Sequence, residues 1–193
     1  MKEYHKIQTV FKRDPDNNQK TLLEGDFSLP EFEYLQNNVW VFTEKVDGTN
    51  IRVMYDGKDI AFGGKTDNAQ IPAFLVKKLQ DRFLPQAQQF VEKFGVETTG
   101  VCLYGEGYGA KIQKGGGNYR QDQDFVLFDV KIGEWWLQRE DVEDIAKFFG
   151  LDVVPIIGEG TLTEMVEQTR KGFNSIWGNF LAEGIVARPK VEL

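Results

Sequence analysis

The run Glu44-Lys45-Val46-Asp47-Gly48-Thr49-Asn50 places a lysine directly before an Asp-Gly turn. An amine attacks as a nucleophile only after losing its proton, and partial burial beside other cations favours that loss near neutral pH. Asp47 is placed to orient the amine, and Gly48 lets the backbone turn closely around a bound phosphate. The run therefore predicts a nucleophilic Lys45, although a Lys-x-Asp-Gly run can also be the solvated end of a hairpin.

Two predicted strands position this lysine. Residues 39–42 are apolar and indicate a buried strand, and residues 50–55 alternate as the next strand. Lys45 is then expected where the backbone leaves a sheet.

Three further segments follow in order, and each places polar residues beside an apolar strand pattern. They are Leu103-Tyr104-Gly105-Glu106-Gly107-Tyr108-Gly109, Phe125-Val126-Leu127-Phe128-Asp129-Val130 and Ala182-Glu183-Gly184-Ile185-Val186-Ala187-Arg188. With the Lys45 run, these segments resemble motifs I, III, IIIa and IV of the covalent nucleotidyltransferases, the superfamily of ATP-dependent ligases and capping enzymes. The resemblance extends over about residues 39–190.

Within that superfamily the chain most resembles the nick-sealing branch of the bacteriophage-type RNA ligases. Ile112-Gln113-Lys114 closely follows the Glu106 motif, and Asn50 ends motif I where DNA ligases usually carry arginine. The resemblance implies an α+β nucleotidyltransferase, or adenylation, domain with antiparallel sheets flanked by helices. We expect residues 1–193 to form one such RNA ligase domain. The family's motif V, a strand with two lysines a residue apart, is not found in the sequence up to Leu193. We therefore expect either a piece of a longer enzyme or a ligase-like domain without part of the chemistry.

The resemblance also implies the reaction. Lys45 would attack the α-phosphate of ATP, releasing pyrophosphate and leaving AMP on the lysine. AMP would then pass to an RNA 5′-phosphate, and a 3′-hydroxyl would displace it to form a 3′–5′ phosphodiester. Each step is phosphoryl transfer, in which the protein supplies positioning and charge neutralisation.

Site residues follow from the motif positions. The catalytic set implied is Lys45, Asp47, Glu106 and Glu183. The nucleotide-binding set implied is Glu44, Val46, Asn50, Lys65, Phe128 and Arg188. Glu106 and Glu183 are also the implied ligands of Mg²⁺ or Mn²⁺, a role that suits carboxylates, or they accept from ribose hydroxyls. Glu44 would read the adenine amino edge, Phe128 would stack on adenine, and Lys65 stands where relatives carry an arginine.

Composition limits the classes of protein. The chain has 193 residues, 41% of them apolar, so it can form a substantial core. Its one cysteine, Cys102, excludes an internal disulfide and favours a reducing cytoplasm, and its place in an apolar strand predicts burial. The lone His5 lies outside every motif, and zinc-ligand spacing is absent from the sequence. We expect a monomer that does not enter a membrane.

The net charge of −7 argues against nonspecific binding of nucleic acid, but a local basic groove stays open. The cations in or beside the motifs are Lys65, Lys111, Lys114, Arg120 and Arg188. The expected partners are RNA ends with a 5′-phosphate and a 3′-hydroxyl, and a nick in a duplex remains one of the alternatives.

The rest of the chain predicts helices joined to hairpins. Helical spacing is expected over residues 74–83, from Pro85 to Phe94 and over 139–149, and Thr161 with Glu164 predicts a capping box for a helix to about Arg170. Two hairpins are expected, one with its tip at residues 56–59 and one around Gly133. The glycine-rich stretch from Gly105 to Gln121 is expected to be a long loop.

Two rival functions remain open at this point. A DNA ligase-like enzyme would share Lys45, and Asn50 is the main argument against it. A nonenzymatic module that binds adenylate or RNA ends would explain the missing fifth motif.

Overall fold

A computed structural model of the chain describes residues 3–98 and 100–191. The chain forms two compact units. The first, called the large unit, contains Val46–Val154, Trp177–Phe180 and the segment ending at Tyr4. The second, the small unit, contains His5–Lys45, Pro155–Ile176 and the segment that starts at Leu181.

Strands and short helices alternate along the chain. The strands are β1 (Phe11–Arg13), β2 (Leu22–Phe27), β3 (Trp40–Lys45), β4 (Thr49–Tyr55), β5 (Ile60–Gly63), β6 (Val101–Gly109), β7 (Gln123–Ile132), β8 (Trp135–Trp136), β9 (Asp152–Val153), β10 (Ile156–Gly160) and β11 (Gly184–Pro189). The α-helices are α1 (Pro30–Leu35), α2 (Ala73–Phe83), α3 (Ala87–Phe94), α4 (Gly116–Tyr119), α5 (Arg139–Phe149) and α6 (Leu162–Lys171).

The large unit is built on a six-stranded sheet. Five of its strands follow the order β5-β4-β6-β7-β8, and the sixth, β9, pairs with β7. Neighbouring strands are antiparallel except for the β7–β9 pair. One face carries the main core, in which side chains of β4, β6 and β7 pack with α2, α3 and α5. The predicted helix 139–149 is confirmed, and it buries Val142, Ile145, Ala146 and Phe149. The other face carries more polar and aromatic side chains, among them Arg52, Tyr104 and Asp129.

The small unit holds a three-stranded antiparallel sheet with β3 between β10 and β11, and a separate pair, β1 and β2. Alternation along β3 sends Trp40, Phe42 and Glu44 to one face, where the first two pack with Leu162 and Met165 of α6. The predicted capping box is present, since the Thr161 side chain accepts from the Glu164 N–H and Glu164 accepts from the Thr161 N–H.

The glycine-rich stretch was wrongly predicted to begin as a loop. Strand β6 continues through Gly109, so Glu106 lies on a strand, and residues 116–119 form α4. Close packing explains the glycines. A Cβ on Gly105 would lie 2.3 Å from the Phe125 ring, and one on Gly107 would lie 2.7 Å from Leu75 Cδ2. These glycines therefore mark positions where a neighbouring strand or helix packs closely against β6, and they do not indicate an irregular backbone.

Other sequence predictions are confirmed. The two hairpins turn at residues 56–59 and at Gly133, which has a φ of 58°. Cys102 is buried on β6, and burial raises the pKa of its thiol to about 11. Among residues 3–98 and 100–191, no helix is both long and apolar enough to cross a membrane.

Candidate active site

Lys45 is the last residue of β3, the central strand of the small unit's sheet, as the sequence predicted. Its amine pairs with the carboxylate of Glu183, which precedes β11. The strand register explains this meeting, because Gly184 lies directly opposite Lys45. The Lys45 side chain is 49% exposed, so a substrate in solution can reach the amine. The neighbour is an anion, whereas the sequence argument expected cations.

Arg188 lies on the same face of this sheet as Lys45. It is opposite Val41 on β3, four positions before Lys45, and alternation puts positions 41, 43 and 45 on one face. The Arg188 side chain is exposed. One face of the sheet therefore carries a candidate nucleophile, Lys45 on β3, and a guanidinium, Arg188 on the neighbouring strand β11.

Glu44 points to the opposite face from Lys45, and only 1% of it is exposed. Its Oε2 accepts a hydrogen bond of 2.9 Å from the Ile176 N–H. Its Oε1 is buried without a hydrogen-bond partner. Leaving such an acceptor unsatisfied costs roughly 1–3 kcal/mol, so a missing donor is the natural explanation. A ligand N–H, such as the exocyclic amine of adenine, fits that requirement.

In the large unit, two hydrogen bonds hold the turn after Val46, one to α4 and one to the segment that precedes α4. The Asp47 N–H donates to the Tyr119 hydroxyl at 3.2 Å, and Gln113 Nε2 donates to the Gly48 carbonyl at 2.9 Å. A Cβ on Gly48 would lie 2.4 Å from the Gly107 carbonyl oxygen, so only glycine fits there. Val46 is buried with Tyr108 and Val126.

Asn50 and Glu106 are directly opposite each other on β4 and β6. The Asn50 Oδ1 is buried and lacks a hydrogen-bond partner, which makes it the second such acceptor among the predicted nucleotide contacts. Glu106 is half-buried. The pair thus brings together one predicted ligand-binding amide and one predicted metal-binding carboxylate, because directly opposed residues on paired strands point to the same face.

Phe128 lies at a bulge in β7. The β6 partner changes from Tyr104, opposite Asp129, to Gly105, opposite Leu127, so Phe128 has no position opposite it. Bulges re-aim side chains, and here Phe128 packs on the face away from the main core. Phe125, three residues earlier, is in the main core. The predicted separation of these two rings to opposite faces is confirmed.

Lys65 is exposed in the loop after β5. That loop is fixed by Arg52, which is only 1% exposed and was not predicted as a site residue. Arg52 Nε donates to the Gly64 carbonyl at 2.8 Å, and Nη2 pairs with Asp67 at 2.8 Å. One feature of the sequence signals this role, an arginine inside an apolar strand, since such a side chain needs buried partners.

The guanidinium of Arg120, one of the cations of the predicted basic groove, is already paired with two carboxylates. Its guanidinium pairs with Asp122 at 2.6 Å and with Asp124 at 2.5 Å. Hydrogen bonds from Arg120, together with Lys78, lower the pKa of Asp122 to about 2. Arg82 from α2 pairs with Asp124 as well, so these charges tie α2 to β7. Lys111 and Lys114 are exposed.

Within the described ranges, no group of three or more His, Cys, Asp or Glu side chains could hold a metal ion. Glu106 belongs to the large unit and Glu183 to the small unit. Mg²⁺ usually takes one or two carboxylates and completes its shell with substrate phosphates and water, so a single glutamate in either unit has the chemistry of a ligand to a metal that arrives with a nucleotide.

Comparisons with known proteins give one family model and a set of similar folds. The family model for RNA ligase matches residues 38–193. A structure of a mutant Naegleria gruberi RNA ligase without ligand aligns with a TM-score of 0.66 and 20% identity, over 84% of this chain and 50% of that one. A mutant of the same enzyme with ATP and Mn gives 0.66 and 23%, over 83% and 48%.

The same enzyme with PPi gives a TM-score of 0.67 and 19% identity, over 97% of this chain and 54% of that one. The chain thus spans about half the length of these structures. The likeness confirms the predicted α+β nucleotidyltransferase fold. A search of curated protein sequences gave no match.

Proposed function

Because the chain belongs to the RNA ligase family, we propose that it is an ATP-dependent RNA ligase. Lys45 takes AMP from ATP, AMP passes to an RNA 5′-phosphate, and a 3′-hydroxyl displaces it to seal the strand. The observation that carries the proposal is the exposed Lys45 amine at the end of a central strand, paired with Glu183. The lysine is next to a buried glutamate that has an unsatisfied oxygen.

The Lys45–Glu183 pair has a direct role in the first step. An amine that attacks the α-phosphate forms an N–P bond, and the bond from phosphorus to the pyrophosphate oxygen breaks. The amine also loses a proton, and the Glu183 carboxylate in contact with it is an acceptor for that proton. Asp47 follows Lys45 by two residues, and its backbone is fixed by Tyr119. We assign to Asp47 the orientation of the lysine end of the turn.

Each unit carries residues that we propose to contact a nucleotide. In the small unit, Glu44 Oε1 accepts from the adenine amino group, and Arg188 binds phosphate. In the large unit, Phe128 stacks on the base, Asn50 Oδ1 accepts a donor from the nucleotide, Val46 packs beside it and Lys65 binds phosphate or sugar. Lys65 lacks the forked guanidinium of an arginine, so its contact is made through a single point charge.

Glu106 in the large unit and Glu183 in the small unit are each proposed as a ligand of Mg²⁺ or Mn²⁺, which would neutralise charge on the triphosphate. In support, the Naegleria gruberi enzyme has been solved with ATP and Mn. The proposed macromolecular substrates are RNA ends, whether in single strands or at a nick, acted on by a monomer in the cytoplasm. We also propose that the chain contributes one adenylation domain and belongs to the nick-sealing branch.

The test is incubation with ATP labelled at the α-phosphate and Mg²⁺, followed by denaturation. We expect label that survives denaturation, and transfer of that label to a 5′-phosphorylated RNA. Reversible binding of ATP without an adduct would favour the nonenzymatic module. Equal sealing of strands with ribose and deoxyribose ends would favour a DNA ligase-like enzyme.

A further inference from the structure

The amino-terminal segment lies against the polar face of the large unit's sheet. The Tyr4 ring contacts the rings of Phe128, Tyr104 and Trp136, with centroid distances of 5.0, 5.2 and 5.6 Å. Its hydroxyl donates to Asp129 Oδ2 at 2.5 Å. Tyr4 therefore contacts two consecutive residues of the bulge in β7, and one of these is the proposed adenine-stacking ring.

Glu3 makes a second contact of the same segment. Its Oε1 accepts from the Asp67 N–H at 2.8 Å. The Asp67 side chain in turn pairs with the buried Arg52, which also binds the Gly64 carbonyl. Glu3 thus fixes the loop that carries Lys65, the proposed phosphate or sugar contact.

A bulge leaves a side chain less constrained by the strand ladder, so packing must fix the Phe128 ring. Tyr4 approaches that ring at an interplanar angle of 69°, so it lies edge-on rather than stacked on it. Edge-to-face pairs are favourable and set ring orientation, so the contact with Tyr4 fixes the orientation of the Phe128 ring. Asp129 is only 1% exposed, so its bond to the Tyr4 hydroxyl is made in a setting that water hardly reaches.

We propose that Glu3 and Tyr4 are positioning residues of the nucleotide site. Tyr4 orients Phe128 for the base, and Glu3 holds the Lys65 loop for the phosphates. The inference rests on the proposed function. Tyr4→Ala is expected to weaken binding of ATP and AMP about tenfold, the upper end for loss of aromatic pairing, and to leave binding of tripolyphosphate unchanged. Tyr4→Phe, which keeps the ring, is expected to restore most of the affinity.

Glu3→Ala is expected to show the reverse pattern, weaker binding of tripolyphosphate and ATP with AMP affinity nearly unchanged. Calorimetric titration of all three ligands gives the comparison, and melting temperatures show that the variants are folded. Tyr34→Ala is the matched control, because Tyr34 is 84% exposed in the other unit. It should bind as the wild type does.

Several outcomes separate the inference from the function. The inference alone is overturned if the wild type forms lysyl-AMP and neither variant changes the affinity for ATP or for tripolyphosphate. Tighter ATP binding by Tyr4→Ala overturns it too, because the ring would then compete with the base. A wild-type chain that neither binds ATP nor forms an adduct overturns both. Equal losses of affinity for all three ligands in Tyr4→Ala would mean that Tyr4 has only a structural role, and they would overturn the inference.

Discussion

At the scale of single residues, the proposed chemistry depends on Lys45 and on the carboxylate that it contacts. The amine is half-exposed and bonded to Glu183. A surface pair of this kind contributes about 0–1 kcal/mol to stability. Loss of Lys45 should therefore affect the proposed reaction far more than the fold.

Lys45→Ala should abolish the AMP adduct and leave the fold intact, because alanine removes the nucleophile and is tolerated at a strand end. Intact mass spectrometry after incubation with ATP and Mg²⁺ measures the adduct. Lys12→Ala is the control, since Lys12 is 55% exposed and pairs with Asp26 in the same unit. An adduct of full yield on the Lys45 variant would disprove the assignment.

Glu44→Gln should weaken ATP binding at least about tenfold, the scale of a hydrogen bond to a charged group. The Ile176 N–H needs an acceptor, so the new amide must turn its oxygen there and present its NH₂ where Oε1 now lies unpaired. That NH₂ cannot accept from an adenine amine, but it can donate to a guanine carbonyl. Competitive titration should show a smaller preference for ATP over GTP, and an unchanged preference would count against base reading by Glu44.

At the scale of elements, close packing of β6 determines how the site strands are held. Gly105→Ala should lower stability by about 1–3 kcal/mol, because its Cβ would meet both the Phe125 ring and the Val126 carbonyl oxygen at 2.3 Å. For a chain of this size, each kcal/mol lowers the melting temperature by about 2–4 °C. Calorimetry checks this, with Gly117→Ala as the control, since its nearest neighbour would be 4.0 Å away. Equal melting temperatures would refute the packing argument.

The two phenylalanines of β7 should separate binding from stability. Phe128→Ala should weaken ATP binding about tenfold or more through lost stacking, with a small change in melting temperature. Phe125→Ala should do the opposite, because that ring is 1% exposed in the main core and touches Phe83. Truncating a core phenylalanine costs roughly 3–5 kcal/mol. If the Phe125 variant instead lost nucleotide affinity while keeping its melting temperature, the assignment of faces would be reversed.

Much of this element arrangement was predictable from sequence, because hydrophobic spacing determines it. The helix at 139–149, the capping box at Thr161 and both hairpins follow from local patterns. The strand through Glu106 did not, because glycines predict a loop, whereas here they permit close packing against Phe125 and Leu75. The contacts of Tyr4 depend on Asp129, 125 residues further along the chain, and local spacing does not predict such a pairing.

At the scale of the whole molecule, the charges limit how a triphosphate can bind. The net charge is −7, and that total includes the carboxylates of Glu44, Glu106 and Glu183, which we propose to contact nucleotide or metal. Arg120 is committed to Asp122 and Asp124. The cations proposed for the phosphates, Lys65 and Arg188, are exposed, so solvent and salt weaken their attraction to the phosphates. Divalent metal must then neutralise much of the triphosphate charge.

We therefore expect the metal to bind with the nucleotide and not before it. A divalent ion held by one or two carboxylates completes its shell with substrate phosphates and water, so the free protein should bind Mn²⁺ weakly. Electron paramagnetic resonance measures the affinity for Mn²⁺. The mixture of protein and ATP should bind Mn²⁺ at least about tenfold more tightly than either the protein alone or ATP alone, since linked ligands stabilise one another. Glu106→Ala and Glu183→Ala should each reduce that gain, whereas Glu143→Ala, on the exposed side of α5, should not. Tight Mn²⁺ binding to the nucleotide-free protein would mean a preformed metal centre and would contradict this account of the charges.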